Sequence, residues 1–437
     1  MQIIVSKEII KPSSPTPPHL YNLNLGYIDQ LHRSNYIPLI FFYNSAAADG
    51  SRPQISRHLK ESLSKALTAF YPLAGTVSDD GSLAHCNDAG AEFVEARVDA
   101  PLDIAAVQEH QIEDLNKYLP MDPNHSEGTA LAAAKVTFFD GGGVAVGVCV
   151  SHRIADGGSA VAFINAWAAI SRGQENNFPR LDFNIADFFP SRPDLPDHRH
   201  HFLSLADKTC AAKRFVFDEE MLSALKRAAA SPAVANPSRV EAVSAFIWKH
   251  FIGMSKPPGS PPPPCVFPAL QAVSLRRRTQ PPLSLENVFG NCYMLSLGLY
   301  ETDFPGDSDG ELYRSLAAVL RGAVKKISHE YIEKARRGDN YVADLPQFYG
   351  IDSKGKETME AAVFSSWSGF PVYEVDYGWG PPEWVCTTAS PVKNTTILMS
   401  TKCGKCIEAC VIMEKEKLQI LDAQIKLIST AVTLTSS

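Results

Sequence analysis

The sequence predicts an α/β chain folded as two domains, and three observations carry that expectation. Its 437 residues exceed what one ordinary domain core holds. Apolar runs of strand length alternate with amphipathic helical stretches in both halves. Between the halves, residues 178–210 lose all periodicity. Pro179, Pro190, Pro193 and Pro196, several aspartates and His198-Arg199-His200-His201 fill that stretch. The predicted division is an N-terminal domain 1–185, a crossover linker 186–210 and a C-terminal domain 211–437.

The elements follow in order. Residues 3–10 read as a short strand running into an extended Ser/Pro-rich piece. Residues 36–43 (YIPLIFFY) are apolar and aromatic, which suits a buried strand. In 55–71, Leu59, Leu63, Ala66, Leu67 and Phe70 fall at helical spacing. Tyr71-Pro72-Leu73-Ala74-Gly75 breaks that helix. Strands are expected at 91–98 and 130–139. Asp140-Gly141-Gly142-Gly143 supplies a hairpin turn into a second apolar strand at 144–150. A helix is expected over 159–170. In the second half a strand at 213–217 precedes helices at 219–230 and 238–251. The Pro-rich 256–264 reads as a surface loop, and a last helix as 414–428.

Composition narrows the function. Lys+Arg 41 against Asp+Glu 48 leaves a net charge of −7, a poor match for phosphate backbones or anionic membranes. Nine cysteines are too few and too irregular for a disulfide scaffold and fit a reducing compartment. The N-terminus lacks a long unbroken apolar run, and no stretch reaches membrane-span length. The expectation is a soluble, intracellular, multi-domain protein that binds neither nucleic acid nor membrane; composition does not say what it does.

Four constellations could carry chemistry. His152-x-x-x-Asp156 follows a strand, where an imidazole can move protons near neutral pH; equally, Asp156 could simply cap the next helix. Ser151 beside His152 suggests a serine triad. Neighbours on a strand face opposite sides, however, and no G-x-S-x-G elbow exists. Cys403-Gly404-Lys405-Cys406 with Cys410 has one half of a zinc pattern without the second, so free cysteines around a hairpin turn are expected, and no metal. Gly141-Gly142-Gly143 fails the dinucleotide fingerprint because Val146 stands where the last glycine belongs.

A second motif lies far downstream, Asp376-Tyr377-Gly378-Trp379-Gly380, after Phe364-Ser365-Ser366-Trp367. With His152-x-x-x-Asp156 it resembles the paired motifs of the plant BAHD acyl-CoA-dependent acyltransferases. The resemblance runs over essentially the whole chain. Tyr71-Pro72-Leu73-Ala74-Gly75, Phe93-Val94-Glu95-Ala96, Ser274-Leu275-Arg276-Arg277-Arg278, Pro281-Pro282-Leu283 and Phe289-Gly290-Asn291 stand in family order. The opening 9–17 with Leu25 and Asp29-Gln30-Leu31 is similar to the vinorine synthase-like branch. Tyr377 stands where phenylalanine is usual, and Ser274 where asparagine is.

The resemblance implies a two-domain fold like chloramphenicol acetyltransferase, each domain a mixed β-sheet with helices, and a channel between the domains. It implies acyl-CoA, here acetyl-CoA, as co-substrate rather than as a resident cofactor. The acceptor would be a small alcohol, an alkaloid or terpenoid-like metabolite. His152 would be the general base, with no acyl-enzyme. Asp156 would hold the His152 loop by pairing with Arg276. Asp376, Gly378, Trp379 and Gly380 would be structural. Ser365 and Trp367 would reach the acceptor, Asn291 the pocket near the thioester, and Ser238 and Arg239 the CoA. Alternatives left open are a larger acyl group (malonyl, benzoyl, hydroxycinnamoyl), an amine acceptor, and a non-catalytic ligand-binding relative.

Overall fold

The computed structural model describes residues 2–32, 35–44, 51–124, 130–175, 178–192, 205–255, 265–281, 283–302, 309–336, 341 and 360–436. The expected loop 256–264 and the histidine cluster 198–201 lie outside them. The chain forms two compact units. One comprises Met1–His200, Ser284–Cys292 and Phe370–Thr388; the other comprises His201–Leu283, Tyr293–Gly369 and Ala389–Ser437. Two stretches of the expected 211–437 region, one of them carrying Asp376–Gly380, therefore belong to the first unit.

Among the described residues the chain has strands β1 (Gln2–Ile10), β2 (Asn22–Asn24), β3 (Tyr36–Tyr43), β4 (Thr76–Val77), β5 (Leu83–His85), β6 (Ala91–Pro101), β7 (Ala132–Asp140), β8 (Val144–Ser151), β9 (Cys210–Phe217), β10 (Cys265–Ser274), β11 (Tyr293–Thr302), β12 (Ala362–Ser366), β13 (Trp384–Cys386), β14 (Thr395–Ser400) and β15 (Ile407–Glu414). Its α-helices among those residues include α1 (Tyr27–Gln30), α2 (Arg52–Ala69), α3 (Ile104–Gln108), α4 (Gly157–Ser171), α5 (Ile185–Phe188), α6 (Glu219–Ala229), α7 (Arg239–Met254), α8 (Asp309–Lys326), α9 (His329–Arg336) and α10 (Lys415–Ser436).

In the first unit a six-stranded sheet runs β1-β6-β7-β8-β3-β13. Only β6 and β7 pair in parallel. β3 and β8 are buried at every position, which is why both read as continuous apolar runs rather than alternating ones. The glycine turn joins β7 to β8 as a hairpin. β13 closes the far edge by pairing Trp384 with Phe42, and their rings stack with centroids 5.3 Å apart. α2 begins in a capping box between Ser51 and Gln54, with a proline in its first turn. α4 is held to α2 by Trp167, whose Nε1 donates to Leu59 O and Ser62 Oγ. Burying a side chain of this size contributes about 1.5–3 kcal/mol.

The second unit carries its own six-stranded sheet, β11-β10-β12-β14-β15-β9. Helices α6, α7, α8 and α10 bury Leu222, Trp248, Phe251, Leu316, Leu320 and Leu421 in one core with Phe217, Phe267 and Leu398 of the sheet. Tyr313 ties three helices, since its hydroxyl lies 2.8 Å from Ala242 O and 3.2 Å from Leu225 O. The last helix runs to Ser436, past the expected end at 428, because no proline or glycine interrupts it.

Candidate active site around His152

The site in the first unit starts where β8 ends. His152 follows the buried strand, and its backbone N–H donates to Asn35 O at 2.8 Å. The chain then turns and enters α4 at Asp156. That carboxylate is the helix cap: its Oδ1 accepts from Ser159 N at 2.7 Å. Its Oδ2 accepts from Cys292 N at 3.0 Å. The capping reading of the His-x-x-x-Asp spacing is what Asp156 shows, and its second oxygen does more. Asp156 caps α4, and the same side chain anchors a segment from far along the chain. Ser159 Oγ adds to that anchor by donating to Gly290 O and accepting from Gly290 N, both at 3.0 Å.

The anchored segment delivers Asn291, which is fully buried. Its Nδ2 donates to Asp29 Oδ1 at 2.9 Å and to His152 O at 2.8 Å. Those two partners are acceptors only, so the amide orientation is determined. Asn291 Oδ1 then faces His152 Nδ1 at 3.0 Å. Nδ1 must carry the proton, and the lone pair of the neutral ring sits on Nε2. An imidazole held in this tautomer is ready to accept a proton at Nε2.

Asp29 stands behind Asn291. It also accepts from Asn291 N at 3.1 Å and from Gly26 N at 2.9 Å. Burial raises its carboxyl to about 6, against the hydrogen bonds it accepts. Burial likewise pulls the His152 imidazole below its ordinary value; its hydrogen bonds and the Asp156 charge oppose that shift. His32 lies flat against His152, with ring centroids 4.3 Å apart. Burial, and the charge that His152 gains when protonated, hold His32 well below its usual range.

Asp376–Gly380 also belongs to the first unit. Asp376 Oδ1 accepts from Gly378 N at 2.7 Å and Gly380 N at 2.9 Å. Gly378 and Gly380 adopt φ of 111° and 93°, conformations that favour glycine. Arg172 donates to Asp376 O, Ser171 Oγ to Tyr377 O, and Tyr43 to Val375 O. Tyr377 is buried against Trp167, with centroids 4.9 Å apart. Trp379 packs against Tyr43. Each of these contacts is made within the first unit.

The remaining candidates lie in the second unit. Arg276 sits in the turn after β10, partly exposed. Ser365 and Trp367 meet each other, with Trp367 Nε1 donating to Ser365 Oγ at 3.0 Å. Ser238 caps α7 in a capping box with Glu241, and Arg239 donates to Gly404 O and Lys405 O. Among the described residues no cluster of three His, Cys, Asp or Glu could hold a metal.

Sequence reasoning missed His32 and the role of Asp29. Asp29-Gln30-Leu31 reads in the sequence only as a branch signature. Nothing in local spacing brings Asp29 to Asn291, 262 residues away.

A family model described as Transferase family matches residues 2–427. Stemmadenine O-acetyltransferase of Catharanthus roseus is 36% identical over 430 residues, covering 96% of both chains. Vinorine synthase of Rauvolfia serpentina is 36% identical over the same length and coverage. The crystal structure of vinorine synthase superposes with a TM-score of 0.81, at 34% identity and 96% coverage of each chain. TRI101 of F. graminearum, solved with coenzyme A and T-2 mycotoxin, shares the fold at a TM-score of 0.67 and 19% identity, covering 92% of this chain and 97% of its own.

Proposed function

The chain belongs to the Transferase family, the BAHD acyltransferases, and on that premise we propose that it transfers acetyl from acetyl-CoA to a hydroxyl of an alkaloid or terpenoid-like alcohol. The acetyl donor is supported by the likeness to stemmadenine O-acetyltransferase. Acyl-CoA as co-substrate is supported by a fold relative solved with coenzyme A. Malonyl, benzoyl and hydroxycinnamoyl donors, and an amine acceptor, are the readings a donor and acceptor panel separates. In this reading the protein acts as a cytoplasmic monomer without a resident cofactor. Among the described residues no helix is long and apolar enough to cross a membrane.

One observation carries the mechanism: the Asn291 bridge, which places the lone pair of His152 on Nε2. His152 Nε2 takes the proton of the acceptor hydroxyl as that oxygen attacks the thioester carbonyl. The tetrahedral oxyanion collapses, the C–S bond breaks, and the CoA thiolate leaves. The imidazolium returns its proton to the thiolate. No serine is acylated, because His152 itself activates the acceptor. Asn291 and Asp29 hold the tautomer, and Asp156 holds the segment that carries Asn291. Ser365 and Trp367 are assigned to the acceptor. Ser238 and Arg239 are assigned to CoA. The test is acetyl transfer from acetyl-CoA to a panel of alcohols by the native protein and His152→Ala. Ester formation that disappears in the variant supports the reading.

A further inference from the structure

The turn between β14 and β15 carries Cys403-Gly404-Lys405-Cys406, a motif that acyl transfer does not use. The turn is well defined. Gly404 N donates to Thr401 O at 2.8 Å, and Thr401 N to Cys406 O at 3.4 Å. Gly404 takes a φ of 70°, which glycine accepts at no steric cost. Cys403 is exposed and Cys406 partly so, and both are free. Thr401 Oγ1 lies 3.2 Å from Cys403 Sγ. The backbone N–H groups of Lys405 and Cys406 and the Cys406 thiol lie close enough to that sulfur to favour its thiolate.

We propose that Cys403 and Cys406 form a reversible thiol–disulfide site on this surface turn, oxidised by a low-molecular-weight disulfide of the glutathione class. The Cys403 thiolate attacks one sulfur of the small disulfide, forming a mixed disulfide and releasing one thiolate, which takes up a proton. Cys406 gives up its proton and attacks the Cys403 sulfur. The internal disulfide forms as the second small thiolate leaves. The balance is two protein thiols and one small disulfide giving one protein disulfide and two small thiols.

Several observations support the assignment of roles. Donors around Cys403, with Thr401 first, bring its thiol down to about 7, whereas burial raises that of Cys406. The pair thus divides into an attacking and a resolving thiol. Charged groups near the turn include Lys402 next to Cys403, Lys405, paired with Glu219 at 3.1 Å, Asp218, whose charge acts on Cys406, and Arg239. Arg239 binds the carbonyls of both residues between the two cysteines, so closure of the disulfide acts on the acceptors of the first side chain of α7. The buried Cys86 is a contrast, since burial pushes its thiol up to about 12. Two sulfurs without a third ligand do not make a zinc site. This inference does not depend on the acyl-transfer reading.

The test uses the full-length reduced protein. Iodoacetamide labelling at neutral pH is read by peptide mass. Cys403 is expected to react about threefold faster than an ordinary exposed thiol: roughly fifteenfold more thiolate, discounted for its weaker nucleophilicity. In a reduced/oxidised glutathione buffer, the peptide carrying both residues is expected to lose two hydrogens and become resistant to alkylation. Cys406→Ser is expected to stop at a glutathione mixed disulfide on Cys403, and Cys403→Ser to leave Cys406 reduced. The proposal is overturned if both thiols stay alkylatable while another cysteine is oxidised first, or if Cys403→Ser leaves Cys406 oxidising at the native rate.

Discussion

The imidazole rings of His32 and His152 lie face to face, 4.3 Å between centroids and 7° from parallel. Parallel rings do not hydrogen-bond to each other, so this pair is no proton relay. His32 instead supports one face of the His152 ring while Asn291 holds its edge. The charge that His152 gains when protonated disfavours a second charge on His32. Replacing His32 with alanine removes the support. The predicted result is about a tenfold fall in kcat with KM nearly unchanged, and His32→Phe is predicted to recover most of the loss because a flat ring is restored.

The pH dependence follows from the same burial. The base must be neutral to act, and burial lowers its pKa below the ordinary 6.5. A lowered pKa keeps the ring neutral to lower pH. The acidic limb of kcat/KM is therefore predicted to have its midpoint below 6.5. A midpoint clearly above that value would contradict the burial argument.

Asn291 offers the sharpest test of the tautomer. Asn291→Ala removes the acceptor for His152 Nδ1 and leaves Asp29 buried without its amide partner. The predicted kcat loss is about a hundredfold, within the usual range of general-base effects. Asp29→Ala leaves Asn291 in place but frees its amide to turn, and a smaller loss of the same kind is expected. Steady-state kinetics of the two variants, with folding checked by circular dichroism, would distinguish a lost base from a lost fold.

Asp156 is predicted to act through structure. Its carboxylate accepts from Ser159 N and Cys292 N, and alanine leaves both without it. A lost cap of about 1 kcal/mol and an orphaned buried N–H of about 1–3 kcal/mol combine to about 2–4 kcal/mol. Asp156→Ala should lower the denaturation midpoint and activity together. A fully stable variant that had lost only proton transfer would assign Asp156 to the chemistry instead.

Tyr377 is predicted to be better replaced than kept. Its side chain is 1% exposed, and its hydroxyl has no hydrogen-bond partner among the described residues. A buried hydroxyl left unpaired costs about 1–3 kcal/mol. Tyr377→Phe keeps the ring against Trp167 and removes that cost. Thermal denaturation should show a higher midpoint for the variant; a lower one would mean that the hydroxyl is paired in solution.

The strands at 36–43 and 144–151 were legible because burial on both faces writes itself as an unbroken apolar run. His152, Asp156 and the 376–380 turn were legible as motifs. The Asn291 bridge was not. Asn291 was picked out only through resemblance, and its partner Asp29 is brought to it by long-range pairing that leaves no periodic trace. β13 shows the same limit: three residues, Trp384–Cys386, draw 370–388 into the first unit by pairing with β3. A three-residue strand is too short to announce its partner.

The central claim is that His152 is the base of a direct acyl transfer, and the most direct measurement is CoA release from acetyl-CoA coupled to ester formation on an alcohol panel. The native protein is predicted to form the ester, and His152→Ala to lose at least about a thousandfold in kcat at an unchanged denaturation midpoint. A folded His152→Ala variant with native kcat would contradict it.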